Sequence, residues 1–348
     1  MMAKNKNTKI CLIYTGGTIG MHRDANGILR PPAKEGSFLQ VAPEIKHFAD
    51  FDFVPLMNKD STNMHTEDWT DIAKSIYDRR NNGYDGFVIA HGTDTMHFTA
   101  SATALALGSN LNFPVVFTGA QTAPDILHGD ARVNLVRAFM VASMDLAEVV
   151  ICFGDYVFRG CRAQKKDERK FEAFESPAVF PLAHITEEIL INYSLARKRG
   201  KRDDINLKAE FSSGIFQVSL IPSLEPSLLH ELIENPNCKG FVLQSFGAGN
   251  VPDEGTYSWI DFIKKSRAAG KPVLITSQFP ANATLHTSYA PGRAAVEAGA
   301  IPTGNMTCAC ATAKFRWVLA QVENIKDVEQ KRSEIEHLMS TDFVGEFD

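Results

Sequence analysis

Two threonine-containing turns each follow directly on a short apolar stretch, and this arrangement constrains the fold more than any other feature. The first stretch, Ile10–Tyr14, runs into Thr15-Gly16-Gly17-Thr18-Ile19-Gly20. The second, Phe87–Ala90, runs into His91-Gly92-Thr93-Asp94-Thr95. Buried strands that end in glycine-rich turns are typical of an open α/β sheet, whose strand ends share one edge. We therefore expect the two turns to meet in one crevice, although about 75 residues separate them.

Short apolar stretches alternate with amphipathic stretches of helical length along most of the chain. The predicted strands are Lys9–Tyr14, Gly86–Ala90, Val115–Thr118, Val149–Phe153, Ile215–Ile221, Gly240–Leu243 and Val273–Thr276. The predicted helices are Glu67–Asn81, Thr95–Leu107, Ala131–Met144 and Pro226–Glu234. Most of these strands lack polar alternation, as expected where helices cover both faces of a mostly parallel sheet.

The chain length predicts two domains. Its 348 residues exceed the size of roughly 250–300 at which one core usually splits. The α/β alternation weakens after Pro181, and Ala196–Asp204 is a charged stretch without an apolar face, typical of a solvated linker rather than a nucleic-acid patch. We predict a larger N-terminal α/β domain with an open, mostly parallel sheet over 1–195, a linker over 196–213, and a smaller C-terminal α/β domain over 214–348.

Composition and local motifs exclude several functional classes. A net charge of −5 gives no general attraction to nucleic acid or to an anionic membrane. Neither a secretory signal peptide nor an apolar stretch of membrane-spanning length is found, so we expect a cytoplasmic protein. The six cysteines form no disulfide framework, and we expect Cys308 and Cys310 to be core residues. His65, His91 and His97 lack metal-ligand spacing, so no metal site is expected.

The first turn does not match the known glycine-rich nucleotide motifs. It lacks the dinucleotide spacing Gly-x-Gly-x-x-Gly, and no Gly-Lys-Ser/Thr follows it. No Gly-x-Ser-x-Gly segment is present either, which disfavours a serine-hydrolase elbow. Two interpretations remain: an ordinary tight turn, or a turn that presents Thr18 to a substrate.

A threonine hydroxyl needs a base to become a nucleophile, and the second turn offers Thr93 and Asp94 at the matching strand end. Lys165 follows the fourth strand close to the same edge. Burial would lower the pKa of Lys165 and favour its neutral form, whereas a nearby carboxylate would favour its charged form. The sequence spacing does not decide which effect is larger. Taken alone, Lys165 also fits an ordinary surface lysine.

Two further polar segments lie near this predicted edge. One is the segment Asp60-Ser61-Thr62-Asn63, which precedes a helix. It is either a loop that caps the helix N-terminus or a loop whose hydroxyl binds a small carboxylate. Thr118-Gly119-Ala120-Gln121 ends a third strand with small and polar residues. Together these segments predict a polar crevice in the N-terminal half of the chain.

The same segments resemble the bacterial-type L-asparaginase family, particularly its cytoplasmic type I branch. Residues 15–20 look like its first active-site signature and residues 86–95 like its second. The similarity extends over Thr118–Gln121, Asn134-Leu135, Arg159-Gly160 and Ser245–Asn250, and so covers nearly the whole chain.

The resemblance implies cofactor-free hydrolysis of L-asparagine to L-aspartate and ammonia through an acyl-enzyme. It implies that Thr18 is the nucleophile, and that Thr93, Lys165 and Asp94 relay protons and activate water. Asp94 should also bind the substrate ammonium, and Ser61 its α-carboxylate. The backbone amides of the turns at Gly17 and Thr93 are the expected oxyanion donors.

The complete set of expected substrate contacts is Gly17, Ser61, Thr62, Gly92, Asp94, Gln121 and Asn250. The resemblance also implies a homotetramer built from dimers, in which a neighbouring subunit completes each site. Asn250 is the candidate for that contribution. No nucleic-acid or membrane partner is expected.

One position departs from the family pattern. The family usually carries a tyrosine about ten residues after the nucleophile, in a mobile loop, and here Ile28 stands where that tyrosine aligns. Ile28 can neither donate nor accept a proton, so Tyr14 or Tyr289 would have to substitute, or turnover would be impaired or directed at another amide. The loop Met21–Ser37 fits either a lid over the site or a plain surface loop.

Three other functions stay open. One is a catalytically weak or silent relative that binds asparagine. Another is a hydrolase of a different small amide such as glutamine, because one methylene changes pocket affinity by only about 1–3 kcal/mol. The third is the related amidotransferase component that takes ammonia from glutamine to amidate glutamyl-tRNA. That component carries an extra domain before the first signature, so the position of Thr18 near the chain start makes this the weakest alternative.

Overall fold

The computed structural model describes residues 8–24, 26–30, 38, 40–279 and 290–348. Its contacts divide the chain into two compact units. The first comprises Met1–Ser176 and Phe180–Ala209, and the second Pro177–Val179 and Glu210–Asp348. Residues 196–209 of the predicted linker group with the first unit. Within the described ranges, no helix is long and apolar enough to cross a membrane.

The first unit contains the longer series of strands. They are β1 (Lys9–Gly16), β2 (His22–Arg23), β3 (Leu29–Arg30), β4 (Asp50–Lys59), β5 (Gly86–Ala90), β6 (Val115–Thr118), β7 (Val149–Phe153), β8 (Tyr156–Arg159), β9 (Gln164–Lys165), β10 (Phe174–Glu175), β11 (Ala183–Ile185) and β12 (Ile189–Ile191). Its helices are α1 (Thr66–Arg79), α2 (Met96–Leu107) and α3 (Ala131–Ala142).

Eight of these strands form one sheet in the order β12-β11-β8-β7-β6-β5-β1-β4. The five strands from β7 to β4 run parallel, whereas β8, β11 and β12 extend the sheet antiparallel. Every residue of β5, β6 and β7 is buried, because helices cover both faces of the sheet. The predicted fold class, a larger, mostly parallel sheet with a smaller α/β domain, is confirmed.

The second unit is a separate, smaller α/β structure. Its strands are β13 (Ile215–Ser219), β14 (Gly240–Ser245), β15 (Val273–Ser277) and β16 (Ile301–Pro302), all parallel and adjacent in that order. Its helices are α4 (His230–Glu234), α5 (Ile260–Ala268), α6 (Ala290–Glu297), α7 (Cys308–Gln321) and α8 (Val328–Ser340). Aromatic side chains, Trp259, Phe262 and Phe241, pack edge to face at the centre of its core.

Strand register in the first unit brings the turns to one edge. Tyr14 on β1 pairs with Ala90 on β5, and Ala90 pairs with Thr118 on β6, so β5 and β6 end level with each other and β1 ends two residues further on. The pairing of β1 with β4 shifts after Tyr14, and Gly16 then pairs with Lys59. A Cβ on Gly16 would lie 1.9 Å from the Lys59 carbonyl oxygen, and its φ is +134°, so only glycine fits this strand end.

Candidate functional site

The turn after β1 lies directly against the turn after β5. Gly17 has a φ of +80°, and a Cβ there would lie 2.7 Å from the backbone nitrogen of Gly92. Thr18 begins a short 3-10 helix, Thr18–Gly20, and its hydroxyl donates to the carbonyl oxygen of Ala120 at 2.9 Å. The turns after β1, β5 and β6 therefore meet at one place, as the strand-end argument predicts.

Lys165 links its own strand to the turn after β5. Its Nζ lies 2.8 Å from Thr93 Oγ1 and 2.6 Å from Asp94 Oδ1. The Lys165 side chain is only 12% exposed, which is not the environment of an ordinary surface lysine, whereas that of Asp94 is 54% exposed. The structure thus brings three of the four predicted catalytic residues into direct hydrogen-bond contact, with Thr18 in the adjoining turn.

The side chain of Gln121, a predicted substrate contact, is hydrogen-bonded to three protein groups. Its Nε2 donates to the carbonyl oxygens of Asp167 and Lys170, at 3.3 and 3.2 Å, and its Oε1 accepts the Thr93 hydroxyl at 3.3 Å. The side-chain amide therefore connects Thr93 to the loop between β9 and β10. Sequence reasoning missed this arrangement, because the partners are backbone carbonyls that only the folded loop supplies.

Ser61 lies under the second turn. Its side chain is 3% exposed, and a Cβ on Gly92 would come within 2.7 Å of Ser61 Oγ. The Thr95 hydroxyl donates to the Ser61 carbonyl oxygen at 2.7 Å, which fixes this loop to the start of α2. Thr62 is exposed, and its backbone N–H and hydroxyl both donate to Asp60 Oδ1, as in a capping loop.

The buried His91 and the half-buried His97 lie behind the second turn, and sequence reasoning gave neither a role. His91 Nδ1 lies 2.7 Å from the carbonyl oxygen of Gly92, and the His97 ring packs against Phe98 and Phe174. Burial lowers the pKa of His91 and of His97 to about 4. Both rings are therefore uncharged at neutral pH, and they place no positive charge behind the Thr93 turn.

Four sequence candidates remain: Tyr14, Ile28, Tyr289 and Asn250. The Tyr14 hydroxyl donates to the Gly17 carbonyl oxygen and to Asn58 Oδ1, both at 3.2 Å, and burial raises its pKa above the usual value. Ile28 is 51% exposed, and Tyr289 is outside the described residues. Asn250 belongs to the second unit, where backbone hydrogen bonds with Phe246 hold it in a tight turn after β14.

The residues present at this edge define a hydrolytic type of site. A partly buried lysine, two hydroxyls and a carboxylate open to solvent surround glycine turns at the strand ends of an α/β sheet. Among the residues that the structure describes, no group of histidine, cysteine, aspartate or glutamate side chains could hold a metal ion. The arrangement suits nucleophilic attack by a hydroxyl with proton transfer through neighbouring side chains.

The chain belongs to the asparaginase family. Residues 9–197 match the family model "Asparaginase, N-terminal", and residues 215–331 match "Glutaminase/Asparaginase C-terminal domain". The predicted resemblance is thereby confirmed.

The chain is similar to several known proteins of this family. It is 31% identical to L-asparaginase 1 of Escherichia coli, over 93% of this chain and 96% of that protein. It is also 31% identical to a component of the glutamyl-tRNA(Gln) amidotransferase of Methanosphaera stadtmanae, over 99% of this chain and 78% of that protein. The structure of the thermostable L-asparaginase from Thermococcus kodakarensis matches with a TM-score of 0.87 and 28% identity, covering 98% and 99% of the two chains.

Proposed function

We propose that this protein is an L-asparaginase, an amidohydrolase that converts L-asparagine to L-aspartate and ammonia. The observation that carries the proposal is the Lys165–Thr93–Asp94 contact at the edge where Thr18 also lies. A lysine at 2.8 Å from a threonine hydroxyl can exchange a proton with it, and the exposed carboxylate of Asp94 can receive a cationic amino group. Family membership and the similarity to L-asparaginase 1 support the same reaction.

In the proposed mechanism, Thr18 Oγ1 attacks the side-chain amide carbon of asparagine. The backbone N–H groups of the touching turns at Gly17 and Thr93 stabilise the oxyanion, each by about 3–4 kcal/mol when well aimed. Ammonia leaves with the proton that the Thr18 hydroxyl gives up, and an aspartyl ester forms on Thr18. Thr93, with its proton passed through Lys165, then activates the water that hydrolyses this ester, which regenerates the Thr18 hydroxyl.

Substrate orientation follows from the same cluster. Asp94 binds the α-ammonium group, and Ser61, held against Gly92, receives the α-carboxylate. The group that deprotonates Thr18 is not Tyr14 in this proposal, because the Tyr14 hydroxyl donates to two carbonyl-type oxygens and its raised pKa keeps it neutral. Tyr14 instead orients the Gly17 carbonyl next to the nucleophile.

Ammonia release from purified protein tests the proposal, with L-asparagine and L-glutamine titrated separately. We expect release from asparagine and a loss of about 10³-fold or more in Thr18→Ala. The control Thr186→Ala removes an exposed threonine hydroxyl from the same unit and should leave the rate unchanged. Release from glutamine alone would instead favour a glutamine hydrolase or the amidotransferase-like activity, and binding of asparagine without release would favour a silent relative.

We also propose a homotetramer in which Asn250 completes the site of a neighbouring subunit. Backbone hydrogen bonds to Phe246 hold the Asn250 backbone in a tight turn after β14, which gives this residue a defined position from which to reach a neighbouring site. Mixing inactive Thr18→Ala with inactive Asn250→Ala subunits should restore activity, because some mixed sites carry both wild-type residues. No recovery in mixtures shown to exchange subunits would contradict this arrangement.

A further inference from the structure

A cavity in the second unit lies among cationic side chains that no step of the proposed reaction uses. Its volume is about 270 Å³, slightly below the range of 300–1,000 Å³ typical of small-molecule sites. Four of its lining residues are cationic: Arg267, Lys326, Lys331 and Arg332. Glu336 is the single acidic residue that lines it.

The positive charge of this cavity is largely uncompensated. Arg332 pairs with Glu329 and Glu336, whereas Arg267, Lys326 and Lys331 form no ion pair with any described residue. Three cationic groups around one small cavity repel one another, and an anion between them would remove that repulsion. The charge pattern therefore favours an anionic occupant.

Arg267 adds a second, independent observation. Its Nε is buried and has no hydrogen-bond partner among the described residues. A buried N–H without an acceptor costs about 1–3 kcal/mol, so such groups call for an explanation. The side chain lies against Gly299, where a Cβ would come within 2.3 Å of Arg267 Cδ. Only glycine at position 299 allows the arginine to occupy this place at the cavity wall.

The rest of the cavity wall is apolar. Ile301 and Ile335 are buried, and Pro272, Ile325 and Val328 complete the lining. Val328, Lys331, Arg332, Ile335 and Glu336 recur at spacings of three and four residues, so one face of α8 supplies both the apolar and the cationic part. An occupant must therefore have an apolar body as well as a charged head.

We propose that this cavity binds a small organic anion, with a carboxylate or phosphate head against Arg267, Lys326 and Lys331 and an apolar body against Ile301 and Ile335. The site lies within the second unit and shares no residue with the Thr18 cluster. It is a ligand site additional to the proposed hydrolase site.

Calorimetric titration of the full chain tests this proposal with four probes. These are 3-phenylpropionate, phenyl phosphate, the neutral 3-phenylpropan-1-ol, and acetate as an anion without an apolar body. We expect one or both aromatic anions to bind, more weakly as salt is raised, and the tighter of the two identifies the preferred head group. Equal binding of the neutral alcohol, or no binding of either aromatic anion below about 10 mM, would overturn the proposal.

Variants assign the binding to this cavity. Lys331→Glu and Arg267→Gln should each weaken anion binding at least tenfold. Lys264→Glu, an equivalent charge change at an exposed position on α5, should leave it unchanged, as should Thr18→Ala in the first unit. Unchanged binding in both Lys331→Glu and Arg267→Gln, with folding verified by circular dichroism, would show that the anion binds elsewhere.

Discussion

Each of the two units holds a lysine against a carboxylate, and the two pairs have opposite surroundings. In the second unit, Lys314 and Glu346 are both fully buried, with Nζ to Oε1 at 2.7 Å. Lys314 also donates to the carbonyl oxygens of Met339 and Thr341, so three acceptors share its three N–H donors. In the first unit, Lys165 contacts Thr93 and Asp94, and Asp94 is 54% exposed.

The difference teaches how to separate a structural lysine from a candidate for proton transfer. Lys314 is enclosed and its donors are used, so it fixes the last residues of the chain to α7. Lys165 contacts a hydroxyl, and its partner carboxylate opens to solvent, so protons and substrate groups can reach the pair. Both pairs contain a lysine with little exposed area and a short ion pair to a carboxylate. They differ in the other groups that the lysine contacts and in the exposure of the carboxylate.

Removing the amine of Lys165 should have the largest effect on activity. We expect Lys165→Met to lower turnover of asparagine by about 10²–10⁴-fold, because proton transfer by one positioned group contributes that much, while the melting temperature changes little. Lys239→Met is the matched control, because Lys239 Nζ also donates to a hydroxyl, that of Ser212, within the second unit. Near-normal turnover of Lys165→Met would contradict the role of Lys165 in proton transfer, and with it the distinction drawn between Lys165 and Lys314.

Removing the amine of Lys314 should affect stability instead. Lys314→Met removes the cation that pairs with the buried Glu346 carboxylate, which costs about 3–5 kcal/mol of unfolding free energy. Adding Glu346→Gln should recover part of this loss, because it also removes the buried negative charge. Urea denaturation measures the unfolding free energy of both variants. A value for Lys314→Met within about 1 kcal/mol of wild type, which is what an exposed ion pair contributes, would contradict the structural role of Lys314.

Acid should destabilise the first unit through His91 and His97. The folded-state pKa of His91 and His97 is about 4, below the ordinary value near 6.5, so the unfolded chain binds more protons between those values. Stability is therefore complete above about pH 6.5 and falls as the pH drops toward 4, by up to about 3 kcal/mol for each histidine.

Denaturation curves at several pH values between 4 and 7 measure this loss. His97→Phe should flatten the pH dependence, whereas His230→Gln, which changes a half-buried histidine of the second unit, should leave it unchanged. A pH dependence identical in all three proteins would show that these rings do not cause the acid sensitivity.

The smallest effect is expected at Ile28. Its side chain is 51% exposed, so a tyrosine there meets no buried neighbour, and Ile28→Tyr should leave asparagine turnover equal or raise it. Steady-state rates of ammonia release provide the measurement. A sharp decrease would show that this loop has its own geometry and that the alignment of Ile28 with the family tyrosine is wrong.

The strands that carry the site were predictable because they are buried on both faces. Gly86–Ala90, Val115–Thr118 and Val149–Phe153 have the same limits in sequence and structure. β4, at the edge of the sheet, was not predicted, since Asp50, Pro55 and several half-exposed residues interrupt its apolar pattern. The antiparallel strands β8, β11 and β12 have only three or four residues, too few for a periodic signal.

The part of the site that the sequence predicts also depends on these buried strands, because their ends carry it. Strand ends that share an edge brought the turns of Thr18 and Thr93 together from the sequence alone. Lys165 lies instead on β9, which follows the antiparallel strand β8, so its contact with Thr93 depends on tertiary packing. The role of Gln121 in holding the β9–β10 loop, and the two histidines behind the turn, depend on tertiary contacts that no local pattern encodes. The cationic cavity likewise depends on tertiary structure. Arg267 and α8 line it together although they are about 60 residues apart in the chain, and local motifs do not show this.

Trapping the covalent intermediate tests the central claim most directly. Lys165→Met, mixed with L-asparagine and quenched with acid, should accumulate an aspartyl ester, because the proposed mechanism assigns Lys165 to the hydrolysis of that ester. Peptide mass spectrometry should then locate the ester on the peptide that contains Thr18, and the ester should be absent from Lys165→Met combined with Thr18→Ala. An ester on the peptide that contains Thr93 instead, or one that persists without Thr18, would contradict the assignment of Thr18 as the nucleophile.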